Sequence, residues 1–478
     1  MHEKEKDLIS AFLRGQVDRR GLIKGLGALG MSAAAAGPLF NMMATQALAA
    51  DFDWKAHSGK SLKLLLNKHP YADAMIANLQ AFKDLTGIEV TYDVFPEDVY
   101  FDKVTAALSS SSSEYDAFMT GAYMTWTYGP AGWITDLKEW INDPAKTNPA
   151  YAWDDFIPGI KNSCAWNGQP GGALGSEDAK QWCIPWAFEQ NNITYNRAMF
   201  DKAGVSVPKN LDDMIAVAAK LQKDVPGIYG IGVRGSRSWA TIHPGFLSAY
   251  SNFNEKDLNV SDGKLSAAMN TAGSKAFHAK WVQMIQESGP KDWSTYTWYQ
   301  VGADIGAGAS AMIYDADCLG YFMNGGDNKM AGQLGYAAFV ANPEATASTP
   351  NIWIWSLAMS SFSKDKDATW YFLQWATGLE HAIFGATQMD FVDPVRQSVW
   401  KEEAFREKMK KYPGYLEMFE ASAPGASIKF TPQPLFFDVT TEWAAMLQKM
   451  VAKEVPVDEG LDQLAESINK QLKEAGLG

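Results

Sequence analysis

A strand–helix–strand signature near the front of the chain does most to limit the fold. Leu62, Leu64, Leu65 and Leu66 form a short apolar run of the kind found in buried strands. Met75, Leu79, Phe82 and Leu85 then recur at helical spacing, and Gly87 stands where a helix takes a left-handed cap. Ile88, Val90, Tyr92 and Val94 alternate as a half-buried strand. Two strands joined through a helix over about 35 residues run parallel, and a parallel sheet needs helices on its faces. The chain is therefore expected to be a layered α/β protein.

The pattern continues along the 478 residues, a length that suits about three compact units or two large lobes. A helix is expected over 101–108, a serine loop over 109–113 and a strand over 115–119. A second α/β stretch occupies about 188–340. Its helix opens at Asn210, with Asp213 three residues on as a cap-like pair, and strands are expected over 311–314 and 335–340. Ile352–Met359 reads as a strand with Trp353 and Trp355 on one face. Trp370, Phe372, Leu373 and Trp375 follow on a helix. The end is helical, with Asp458 as a cap before Leu461, Leu464, Ile468 and Leu472.

Charge and aromatic content narrow the function. Lys plus Arg number 42 against 55 Asp plus Glu, a formal −13, which argues against a nucleic-acid partner. The 24 Phe, 18 Tyr and 18 Trp include more indole than a core of this size needs, and Trp suits a cleft that grips something. Asp18-Arg19-Arg20-Gly21-Leu22-Ile23-Lys24 resembles a twin-arginine export motif, and Ala47-Leu48-Ala49 fits a cleavage site. Residues 1–50 are thus read as a signal segment, and the mature protein is expected to be soluble and periplasmic. Cys164 and Cys183 flank a turn-rich stretch and are expected to pair in an oxidising compartment, whereas Cys318 is expected to be a buried free thiol. There is no CxxC and the six His are scattered, so neither a metal nor another cofactor is expected.

Several separated segments, in order, resemble the extracellular solute-binding proteins of ABC-type sugar importers over residues 60–474. They are Asp116-Ala117-Phe118, Ala131-Gly132-Trp133-Ile134-Thr135-Asp136-Leu137, and Tyr195-Asn196-Arg197-Ala198-Met199-Phe200-Asp201-Lys202-Ala203-Gly204-Val205 with Pro208-Lys209-Asn210-Leu211-Asp212-Asp213. Ala311-Met312-Ile313-Tyr314-Asp315-Ala316-Asp317 and Ile352-Trp353-Ile354-Trp355-Ser356-Leu357-Ala358-Met359 look most like the members that bind monosaccharides and sugar alcohols. The resemblance implies two layered α/β lobes of the type II periplasmic binding protein kind, joined by a multi-crossing hinge, with a helical C-terminus. Residues 51–187 plus 346–396 would form the N-terminal lobe and 188–345 plus 397–478 the C-terminal lobe. It further implies a monomer that holds a neutral carbohydrate or polyol in the interlobe cleft and passes it to membrane permease subunits.

Such a ligand needs aromatic planes for its C–H faces and fixed donors and acceptors for its hydroxyls. Ligand groups in α/β lobes sit on loops after strand ends. His69 and Tyr71 follow the first strand, and Tyr123 and Trp126 follow the strand at 115–119. The resemblance puts Glu189 at a lobe crossing and Arg396 near another. Asp315 and Asp317 end a strand, one expected to face the cleft and the other to be structural. Trp353 and Trp355 complete the candidates, at least one of them stacking on ligand.

Gly230-Ile231-Gly232-Val233-Arg234-Gly235 matches GxGxxG, but Pro226-Gly227 leaves little strand before it and Pro244 interrupts any following helix, so it is read as a strand and turn. The rival class is a secreted glycoside hydrolase, since paired carboxylates beside aromatic platforms also serve that chemistry. No carboxylate pair is singled out by spacing, and a binding protein without turnover is the preferred expectation.

Overall fold

The computed structural model describes residues 52–237 and 243–478; the expected export segment lies outside them. The first half of the chain gives β1 (Ser61–Asn67), α1 (Pro70–Ala77), α2 (Leu79–Thr86), β2 (Glu89–Phe95), α3 (Glu97–Ser109) and β3 (Ala117–Gly121). β4 (Ile184–Asn196) and α4 (Leu211–Asp224) follow, then α5 (Trp298–Ala307), β5 (Met312–Ala316), α6 (Asp317–Met323) and β6 (Leu334–Ala337). β7 (Ile352–Met359) leads into α7 (Lys366–Ala376), and the C-terminal part contains α8 (Tyr415–Ser422), α9 (Phe436–Val451) and α10 (Val457–Glu474).

The seven strands make one mixed sheet in the order β6-β4-β7-β3-β1-β2, with β5 also on β4. β1 pairs in parallel with β2 and β3, as the opening signature requires. The 13-residue β4 joins two α/β lobes. Ile184 to Gln190 pair with β7, and Asn191 to Tyr195 pair with β5. The ladder therefore changes partners between Gln190 and Asn191.

Local chemistry explains most element ends. Gly87 takes φ 71° and its N–H donates to Lys83 O, which closes α2 as expected. Asn210 Oδ1 accepts from Asp213 N at 3.0 Å and caps α4. The helix expected across Met75 to Leu85 is broken in two at Asn78, whose side chain bonds His381 Nδ1 at 2.9 Å. α3 starts four residues before the expected 101, because Pro96 supplies a ready-made helix entry. Asp458 does not cap α10; Pro456 precedes the helix and Asp458 lies in its first turn, at the positive end of the dipole.

Cys164, Cys183 and Cys318 are buried free thiols. The Cys164 thiol lies against Cys183 and 3.5 Å from Ser356 Oγ, and the bridge expected from the spacing is not formed in the structure. Among the described residues no helix is long and apolar enough to cross a membrane.

Candidate functional site

A small pocket opens where the two lobes meet, beside the change of partners on β4. β7 builds one wall. Trp353 and Trp355, two residues apart, share a face of the sheet, and Trp353 pairs directly with Glu189 on β4. Trp355 Nε1 donates to Glu189 Oε1 at 2.7 Å. The two indoles meet edge to face at 5.3 Å.

His69 comes from the turn after β1. It caps α1 by accepting from Tyr71 N at its Nδ1, 3.2 Å away, with Pro70 at the first helical position. That bond leaves the ring proton on Nε2, which lies 3.9 Å from Glu189 Oε1. Burial lowers His69 to about 3, so it is neutral at physiological pH, and burial pushes the Glu189 carboxyl up to about 7.

The opposite wall comes from the other lobe. Ala316 at the end of β5 and Cys318, Leu319 and Phe322 on α6 line it, with Trp298 at the start of α5. Arg234 arrives on a segment whose Gly232 bridges in parallel to Ile313 of β5. Its guanidinium meets Asp315 at two points, Nε to Oδ2 at 2.9 Å and Nη2 to Oδ1 at 2.6 Å. Burial opposes the charge on Arg234, and the carboxylates of Asp315, Glu189 and Glu97 together more than offset it. Glu97, at the first turn of α3, reaches in from the first lobe; it accepts from Asn67 Nδ2 at 3.4 Å and lies beside the Trp298 indole. Burial raises its carboxyl above the usual range.

Of the ten expected ligand residues, the pocket brings together His69, Glu189, Trp353 and Trp355. Tyr71 lies behind His69, its hydroxyl donating to Asp393 Oδ2 at 3.0 Å. Neither aspartate lines the pocket, contrary to the expectation that one would. Asp315 is spent on Arg234, and Asp317 accepts from Gln190 N at 3.2 Å and Cys318 N at 3.1 Å beneath α6. Burial raises the Asp317 carboxyl.

Tyr123, Trp126 and Arg396 are core residues here. The Tyr123 hydroxyl donates to Asn351 Oδ1 and Ile352 O, and its ring stacks on Phe436 at 4.6 Å. Trp126 packs against Tyr123, Trp166 and Phe436. Arg396 is fully buried over the Phe156 ring and donates to Thr377 O at 2.8 Å; burial lowers its pKa.

Sequence reasoning missed Arg234, Glu97, Trp298, Phe322 and the position of Cys318. Glu97 directly follows β2 and Pro96, so the strand-end rule points to it. Arg234 sits inside the GxGxxG-like run, where the search for a nucleotide loop drew attention to the glycines instead.

The sequence profile of the bacterial extracellular solute-binding protein family matches residues 68–382. The chain belongs to that family. It is 40% identical over 399 residues, 83% of each chain, to the erythritol/L-threitol-binding protein of Mycolicibacterium smegmatis. Its fold matches that of an ABC transporter solute-binding protein from Agrobacterium vitis with bound D-mannitol, at TM-score 0.73, 21% identity and coverage of 87% of this chain and 99% of that one. A counterpart from Agrobacterium radiobacter in complex with ribitol matches at TM-score 0.74, 18% identity and the same coverage. The two lobes are thus those of the type II periplasmic binding proteins. The family and these relatives are described as binding proteins, so the rival glycoside hydrolase reading gains no support.

Proposed function

We propose that the protein captures a short neutral sugar alcohol, of the four-carbon class, in this pocket and delivers it to the permease subunits of an ABC importer. The observation that carries the reading is the facing of Arg234 with Glu97 and Glu189 across walls of Trp298, Trp353, Trp355 and Phe322. A hydroxyl both donates and accepts, so a chain of them satisfies carboxylates on one side and a guanidinium on the other. The indole faces take the C–H edges. Arg234 already has its countercharge in Asp315, which suits an uncharged ligand. The name of the 40%-identical relative supports the four-carbon class. In this reading His69, Glu97, Glu189, Arg234, Trp353 and Trp355 hold the ligand, and ATP hydrolysis belongs to the importer.

The lobes in this account are 51–187 plus 346–396 and 188–345 plus 397–478, and they bend about β4 to close on the ligand. The protein acts as a monomer in the periplasm after twin-arginine export and cleavage near Ala49. There Cys164 and Cys183, whose thiols already adjoin, oxidise to a disulfide.

The test is a thermal-shift screen of the mature protein against polyols of four to six carbons, sugars, amino acids and peptides. A ligand at about 100 times its dissociation constant adds about 2.7 kcal/mol to stability. A tetritol is expected to give the largest shift. A shift with amino acids or peptides alone overturns the proposal.

A further inference from the structure

Gly121 ends β3 with φ −89° and ψ 147°, a conformation open to any residue, so no turn requires glycine there. It pairs directly with Trp355, and paired residues on antiparallel strands project to the same face. On its other side Trp355 pairs with Ala187. Small residues therefore flank the indole on both neighbouring strands. The space above Gly121 is filled by the Trp353 ring: a Cβ at position 121 would lie 2.3 Å from both Cζ2 and Cη2 of that indole.

Ordinary contact begins at 3.4 Å, so any side chain at 121 forces the ring to retreat by about 1 Å. Its other neighbours limit where it can go. Tyr123 stacks along it at 5.8 Å, Trp355 abuts it edge to face at 5.3 Å, and Phe101 meets it edge-on at 6.5 Å. The indole also lines the pocket, so a ring pushed off Gly121 changes the pocket's shape.

We infer that Gly121 sets the depth of the ligand pocket through Trp353, and so acts as a length selector for the polyol without touching it. The absent side chain lets the indole lie back on the sheet and leaves room for the ligand's chain. The inference rests on the proposed capture of a polyol in this pocket.

The test compares wild type, G121A, W353F and G121A/W353F by titration calorimetry with erythritol, ribitol and D-mannitol, with circular dichroism to confirm folding. G121A is expected to weaken erythritol binding by about tenfold or more, the cost of one methylene of overpacking. It should weaken ribitol and mannitol by a larger factor. W353F, with its smaller ring, should raise the affinity for ribitol relative to erythritol, an arm that stands even if G121A does not fold. In G121A/W353F the alanine should cost much less than it does in wild type, because the ring it collides with is smaller. Unchanged affinities in G121A, or an alanine cost as large in the W353F background as in wild type, overturn the inference. Wild type binding none of the three polyols overturns the capture reading instead.

Discussion

Arg234 and Asp315 meet at two points, 2.9 and 2.6 Å apart, with both side chains withdrawn from solvent. The pair fixes the plane of the guanidinium before any ligand arrives, a form of preorganisation that lowers the cost of binding. Removing the carboxylate takes away the two-point partner of a buried charge. D315A is expected to weaken polyol binding by about 30-fold or more. D315N, which keeps the shape but not the charge, should recover only part of the loss. Calorimetry on folded variants checks both, and wild-type affinity in D315A would remove Arg234 from the ligand account.

Glu189 makes binding pH-dependent. Burial holds its proton up to about 7, against 4.5 for the unperturbed group. Native protein thus binds more protons than unfolded protein in that window, and this group's contribution to stability falls as pH rises through it. Ligand hydroxyls donate to the anion and so favour deprotonation. Affinity should therefore rise with pH through about 7, with proton release on binding, and E189Q should reduce the dependence to the share carried by the raised Glu97 carboxyl. Calorimetry in buffers of different ionisation enthalpy measures the protons released.

Asp393 joins two distant segments of the chain. Tyr71 donates to its Oδ2 at 3.0 Å and Tyr415 to its Oδ1 at 2.8 Å. Y71F and Y415F should each cost about 1–3 kcal/mol, the penalty for leaving a buried acceptor unsatisfied. Urea unfolding measures it, and a combined loss that departs from the sum would show that the two hydroxyls act on one group.

The cysteine pair gives a chemical prediction. Of three buried thiols, only Cys318 should react with a thiol reagent after periplasmic protein is denatured without reductant. Three reactive thiols would mean that Cys164 and Cys183 remain reduced.

Local signals were legible in the sequence because they depend on near neighbours. The parallel unit from Leu62 to Val94, the Gly87 and Asn210 caps and the paired indoles of β7 all rest on spacing within a few residues. Tyr123 and Trp126 were ambiguous for a physical reason: an aromatic after a strand serves a core and a cleft equally well. Arg396 was misplaced because its charge is met by Asp155, backbone carbonyls and the rings of Tyr151 and Phe156, which sequence cannot bring together. Glu97 beside Trp298, and Arg234 on Asp315, are contacts between distant segments, and only the folded chain shows them.

The most direct measurement is titration of the mature protein with erythritol by calorimetry. Saturable one-to-one binding that weakens in E189Q and D315A is the expected result. Absence of binding to erythritol and L-threitol by protein that is folded and free of prebound ligand would contradict the capture of a four-carbon polyol.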